Sequence, residues 1–220
     1  MHPDTMRLID RWVGIPLCFF ASFWPLKKAQ VDSNSTLATN IPPPDTIVFI
    51  GIAEIGALVV AYPAIKETRK QHPKSRICFI TAPAGLQTLE LMGFEKEDIF
   101  LLETSSIKSL LKGIVNIRSH FKGRRVSAIV LEPFTRFSTL LSAWIGASKR
   151  IGCYRFLNEG VYLGNILTHR LVYNPHLHMS QTYFALAKAL IEPDSAKPLL
   201  KEYIPSQIKN RLKINIPEKE

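Results

Sequence analysis

The sequence predicts an α/β fold, a doubly wound parallel sheet with an apolar helix ahead of it. Three observations predict this. Short β-branched or aromatic runs without polar alternation, the pattern of strands buried on both faces, recur between Ile47 and Ile151. Longer segments with apolar residues at helical spacing separate them, as right-handed βαβ crossovers require. The first run ends in a small-residue turn, Gly51 to Gly56, of the kind that leads from a strand into a helix.

Composition sets the bounds. With 220 residues, 46% of them hydrophobic, the chain can bury a sizeable core and is not a disordered protein. Its net charge of +10 points to anionic partners, such as phosphate-bearing substrates or a lipid surface. The cations are scattered in pairs, Lys27-Lys28, Arg124-Arg125 and Lys149-Arg150, with no basic stripe interleaved with stacking aromatics, so nucleic acid is not expected as a partner. Cys18, Cys78 and Cys153 are odd in number and far apart, which suits neither a zinc site nor a disulfide framework. They read as small buried hydrophobes in a reducing cytoplasm.

In chain order, Trp12 to Leu26 is an apolar stretch bracketed by Arg7 and Arg11 on one side and Lys27-Lys28 on the other. At about 15 residues, interrupted by Pro16 and Pro25, it is short of the roughly 20 that a spanning helix needs. No small-x-small cleavage site follows it, as a secretory signal would require. It reads as an interfacial anchor over residues 1–28. Its aromatics, Trp12, Phe19, Phe20, Phe23 and Trp24, enter the headgroup region while the cations meet acidic lipid. The alternative is a helix packed on its own domain. Residues 29–45, ending in Pro42-Pro43-Pro44, read as a stiffening linker, and a Rossmann-like domain is expected over 46–191, followed by a tail over 192–220.

Within that domain strands are expected at 47–50, 76–81, 98–102, 126–131 and 150–152, and helices at 58–71, 85–92, 106–121, 135–145 and 179–190. Pro63 falls inside the first of these helices, so a kink or a late start is expected there. Ligands of such sheets lie beyond the carboxyl ends of the strands. There the sequence places Gly51, Glu54 and Gly56 after the first strand, Glu132 and Arg136 after the fourth, and Arg155 and Asn158 after the fifth. Glu132 and Arg136 admit a second reading as a solvent-facing i,i+4 pair. The glycine turn lacks the middle glycine of a dinucleotide site, and Ala57-Leu58 stands where a triphosphate loop needs Lys and Ser or Thr. Asn174-Pro175-His176-Leu177-His178 has no nearby Cys, Asp or Glu to complete a metal site, so none is expected.

The run Phe49-Ile50-Gly51-Ile52-Ala53-Glu54-Ile55-Gly56 with Tyr62-Pro63-Ala64-Ile65 resembles the opening motif of family 9 glycosyltransferases, the ADP-heptose:lipopolysaccharide heptosyltransferases and their relatives. Arg150-Ile151-Gly152, Asn174-Pro175-His176-Leu177-His178 and the helix ending Ala185-Leu186-Ala187-Lys188-Ala189-Leu190 match later landmarks in order. The resemblance covers about residues 46 to 191 and implies the N-terminal, acceptor-binding half of a two-domain GT-B enzyme. It implies a nucleotide-sugar substrate, a lipid-linked oligosaccharide acceptor, no further cofactor, and a place on the inner face of a bacterial cytoplasmic membrane. Taken with the placement of residues after the strands, this makes Glu54 or Glu132 the candidate base, while Gly51 and Gly56 allow close approach, Arg136 and Arg155 are expected to hold acceptor phosphate or carboxylate groups, and His178 to shape the cleft. Two departures stand out: Ala57 occupies the position of the family's usual Asp base, and only Lys197 to Glu220 stands where a donor domain would begin. A fragment, a split enzyme with a separate donor-domain chain, and a non-catalytic membrane-associated scaffold are the expectations that follow.

Overall fold

The computed structural model of the protein describes residues 10–23, 43–52, 55–156 and 160–192. The strands β1 (Thr46–Ile50), β2 (Arg76–Thr81), β3 (Ile99–Leu101), β4 (Val126–Val130), β5 (Lys149–Phe156) and β6 (His169–Tyr173) form one six-stranded sheet in the order β3-β2-β1-β4-β5-β6. Every pairing is parallel. This is the doubly wound α/β arrangement, reached because strands apolar on both faces need a helical layer on each side.

Alternate strand residues divide the core. Ile47, Phe49, Ile77, Phe79, Ile129 and Ile151 pack under α2 (Ile55–Gln71) and α6 (Met179–Lys188), with Leu89 of the short α3 (Leu86–Leu91) beside them. Val48, Ile50, Cys78, Ile80, Val126 and Ala128 pack under α4 (Ile107–Phe121) and α5 (Arg136–Trp144). Each buried Val, Ile or Phe contributes about 1.5–3 kcal/mol, so these two layers dominate stability. All three cysteines are buried, and burial pushes the Cys78 thiol up to about 12, as suits small hydrophobes.

The structure differs from the sequence reading in three places. α2 starts at Ile55 and runs unbroken through Pro63. The carbonyl that Pro63 leaves without an N–H belongs to Val59, an exposed residue, where solvent can satisfy it. β5 is longer than expected, and β6 was not expected at all. Its opening pair, His169-Arg170, reads as polar, although His169 is fully buried.

The N-terminal stretch forms α1 (Ile15–Phe23) after a π-helical turn over Asp10–Gly14. Pro16, the second residue of α1, lies inside this continuous helical run. α1 packs against its own domain, as the alternative sequence reading expected, and keeps an exposed aromatic face. Its Cys18 is fully buried and it packs beside α5, whereas Phe19, Phe20 and Phe23 are exposed. No helix among the described residues is long and apolar enough to cross a membrane.

Candidate functional site

The chain winds away from β1 and β4 in opposite directions, so the crevice beyond their carboxyl ends is the topological switch point of the sheet. Glu132 lies there, two residues past β4 and only 7% exposed. One carboxylate oxygen accepts the Ile52 N–H at 2.7 Å, and the other accepts the Ser138 hydroxyl of α5. A buried carboxylate needs such donors, and these two stitch the loop after β1 to α5 across the crevice.

Arg136 is the first residue of α5, and its Nε donates to the Tyr162 carbonyl at 3.2 Å. The reading of Glu132 and Arg136 as a solvent-facing helix pair is therefore corrected. Glu132 is buried and precedes the helix, so the two do not stand one turn apart on a helical face. Between them Phe134 adopts φ 61°, a left-handed conformation that a bulky residue rarely takes and that costs about 1–3 kcal/mol. Its ring meets the ring of Tyr173, the last residue of β6, edge-on at 5.7 Å.

The other predicted residues enter the same edge of the sheet. Gly51 is buried, and a Cβ added there would stand 3.1 Å from Leu58. Gly56, in the first turn of α2, faces open space, so packing does not demand a glycine there. Arg155 follows an irregularity in the pairing of β5 with β6, and bulges of this kind re-aim a side chain. Its Nε is buried without a hydrogen-bond partner among the described residues. His178 is the N-cap of α6: Nδ1 accepts the Ser180 N–H at 3.2 Å, with the Ser180 hydroxyl 2.7 Å away. An accepting Nδ1 leaves the ring proton of the neutral imidazole on Nε2. Glu54 and Asn158 lie outside the described residues.

Thus Glu132 and Arg136 come onto one turn, with Arg155 and His178 placed at the same edge by β5 and by the segment after β6. Sequence reasoning missed Ser138, Phe134, Tyr162 and Tyr173. Ser138 carried a faint signal, a small polar residue among apolar neighbours of an amphipathic helix, but nothing local marked Tyr162 as the partner of Arg136.

Solved structures share this architecture. E. coli ADP-heptose lps heptosyltransferase II superposes with a TM-score of 0.55 at 17% identity, over 79% of this chain and 47% of that one. The glycosyl transferase family 9 structure from Veillonella parvula DSM 2008 gives 0.52 at 18% identity, over 70% and 43%. E. coli heptosyltransferase WaaC with ADP gives 0.51 at 9% identity, over 69% and 49%. The fold is the one these glycosyltransferases share. No protein-family model and no curated protein matches the sequence. The chain spans about half the length of the solved glycosyltransferases, so the likeness concerns the fold of one part of them.

Proposed function

We propose that the chain is the acceptor-binding half of a heptosyltransferase-like glycosyltransferase of GT-B architecture that builds lipopolysaccharide or a related envelope glycan. The observation that carries this reading is the switch-point crevice: a buried Glu132 pins the loop after β1, and Arg136 and Arg155 stand at the same edge. In the complete reaction an acceptor hydroxyl attacks the anomeric carbon of a nucleotide-activated sugar. The new C–O bond forms as the bond to the diphosphate breaks, and a base takes the hydroxyl proton. Both oxygens of Glu132 already accept hydrogen bonds, which suits it to holding the loop. Glu54, two residues beyond Ile52, is left as the base. Ala57, buried on α2, cannot accept a proton. Arg136 and Arg155 hold phosphate or carboxylate groups of the acceptor as charge-assisted hydrogen-bond donors.

The nucleotide sugar is held mainly by a second body, in the same chain or in another, corresponding to the remaining half of the solved glycosyltransferases. The acceptor is lipid-linked and the domain works at an anionic membrane surface on the cytoplasmic side, a reading supported by the exposed aromatics of α1 and the cations that bracket it in sequence. A second reading, a non-catalytic membrane-associated scaffold on the same fold, draws on Ala57, and transfer from a nucleotide sugar that depends on Glu54 ends it.

Calorimetric titration with a phosphorylated core-oligosaccharide fragment tests the acceptor reading. Arg136→Ala is expected to weaken binding by about 1.5–3 kcal/mol, the range for hydrogen bonds to charged groups, while changing stability by less than about 0.5 kcal/mol. Equal affinities for wild type and variant remove Arg136 from the site.

A further inference from the structure

The turn Gly164-Asn165 is shaped to receive α1. Ser22 Oγ donates to the Cys18 carbonyl at 2.7 Å and accepts the Asn165 N–H at 3.0 Å. Gly164, at φ +58°, approaches so closely that an added Cβ would lie 2.0 Å from Ser22 Oγ and 2.8 Å from the Cys18 carbonyl oxygen. Only glycine meets both demands. α1 is therefore a seated element with one face on the domain and the aromatic face bare.

Between α1 and this turn lies a cavity of about 290 Å³, near the lower bound of about 300 Å³ for small-molecule sites. Its apolar walls are Phe19 and Phe23, whose rings meet edge-to-face at 4.9 Å. Its polar walls are Tyr154, Tyr162 and Asn165. Arg170 fixes two of them: it donates to Asn165 Oδ1 at 2.8 Å and lies over the Tyr154 ring at 4.7 Å. With Oδ1 occupied, the Asn165 amide nitrogen is available as a donor. The Tyr162 carbonyl is the acceptor of Arg136, so the cavity adjoins the switch-point turn.

We propose that this cavity binds one glycosyl unit of the lipid-linked acceptor, with α1 supplying a wall of the site as well as the contact with the membrane. The inference rests on the acceptor reading given above. A pyranose offers an apolar C–H face and a rim of hydroxyls; the phenylalanine rings suit the first, and the phenols and the amide suit the second. A bare acyl chain would use none of those polar groups.

Two variants of the full chain test it by calorimetry with a lipid-free phosphorylated core oligosaccharide and by sedimentation with phosphatidylglycerol vesicles. Tyr162→Ala removes a half-exposed wall outside α1 and leaves the backbone acceptor of Arg136 in place. Gly164→Ala unseats α1 without changing its aromatics. Both are expected to weaken saccharide binding at least tenfold and to leave vesicle binding within twofold of wild type. If Tyr162→Ala binds the saccharide as wild type does while Arg136→Ala is weakened, the cavity is not the site, although the acceptor reading survives. If the wild-type chain does not bind the saccharide, the acceptor reading falls and this inference falls with it.

Discussion

The two edges of the sheet are finished in opposite ways. At the amino edge charged side chains are spent on closing the fold. Asp45, just before β1, pairs at 2.6 Å with Arg125, just before β4, and Arg76 at the start of β2 pairs at 2.5 Å with Asp98, just before β3. Lys149 Nζ donates to the carbonyls of Leu190 and Glu192 at 2.8 Å each, and His169 Nε2 lies 3.0 Å from that same Glu192 oxygen. Each of these contacts joins segments far apart in sequence. At the carboxyl edge Glu132 and Arg136 instead border the switch-point crevice, and Phe134 between them holds a strained backbone. On the proposed acceptor reading, the edge that charges do not close is the ligand edge, as strand polarity in such sheets leads one to expect.

The largest effect that separates the edges is expected at Arg150. It is 1% exposed, donates from Nε to the Ile166 carbonyl at 2.6 Å and also reaches the Ala147 carbonyl. Arg150→Met keeps much of the volume but leaves buried carbonyls without donors, an expected loss on the order of 3 kcal/mol in urea unfolding. A loss below about 1 kcal/mol would show that Arg150 is not part of the closed edge.

Next in size is a pH effect from the same edge. Burial is the first cause of depressed pKa values at His72 and His120, helped by Lys149 at His72 and by Arg124 and Arg76 at His120, where Asp98 acts in the opposite sense. Nε2 of each ring is buried without a hydrogen-bond partner among the described residues. Near the ordinary histidine value of about 6.5 the unfolded chain takes up these protons before the folded one does. Stability is therefore expected to be complete above about pH 6.5 and to fall as the pH drops through that value toward the folded pKa values. Urea midpoints of wild type and the His72→Gln, His120→Gln double variant, measured from pH 7.5 to pH 5, check this, since the variant should show a flatter profile.

The smallest effect is expected at the Arg76–Asp98 pair. Its side chains are 35% and 23% exposed, so solvent screens them and Asp98→Asn should cost no more than about 1 kcal/mol. A loss above about 2 kcal/mol in urea unfolding would mark the amino edge as more tightly coupled than these partial exposures allow.

How far the sequence could be read follows from the range of the interactions involved. β1 and β4 are buried along their whole length, so their unbroken apolar runs announced them, and the core layers followed from residue alternation. β6 stayed hidden because His169 is buried through partners outside its own strand, one of them the Glu192 carbonyl 23 residues away. Glu132 could be placed after β4, but its tie to Ile52 spans 80 residues and no local pattern records it. The seat of α1 was still less visible, because the contact between Ser22 and Asn165 spans 143 residues and turns on the missing side chain of Gly164. Arg136 and Arg155 were legible as candidates because strand polarity alone puts them at the open edge.

The contrast between the edges is tested most directly by following backbone amide chemical shifts of the full chain during titration with the phosphorylated oligosaccharide fragment. The predicted result is a set of saturable shifts at Gly51, Ile52, Glu132, Arg136, Arg155 and Tyr162, with Asp45, Arg76, Arg125 and Lys149 unmoved. Shifts centred on that second group, or no saturable shift at either edge, would contradict the account.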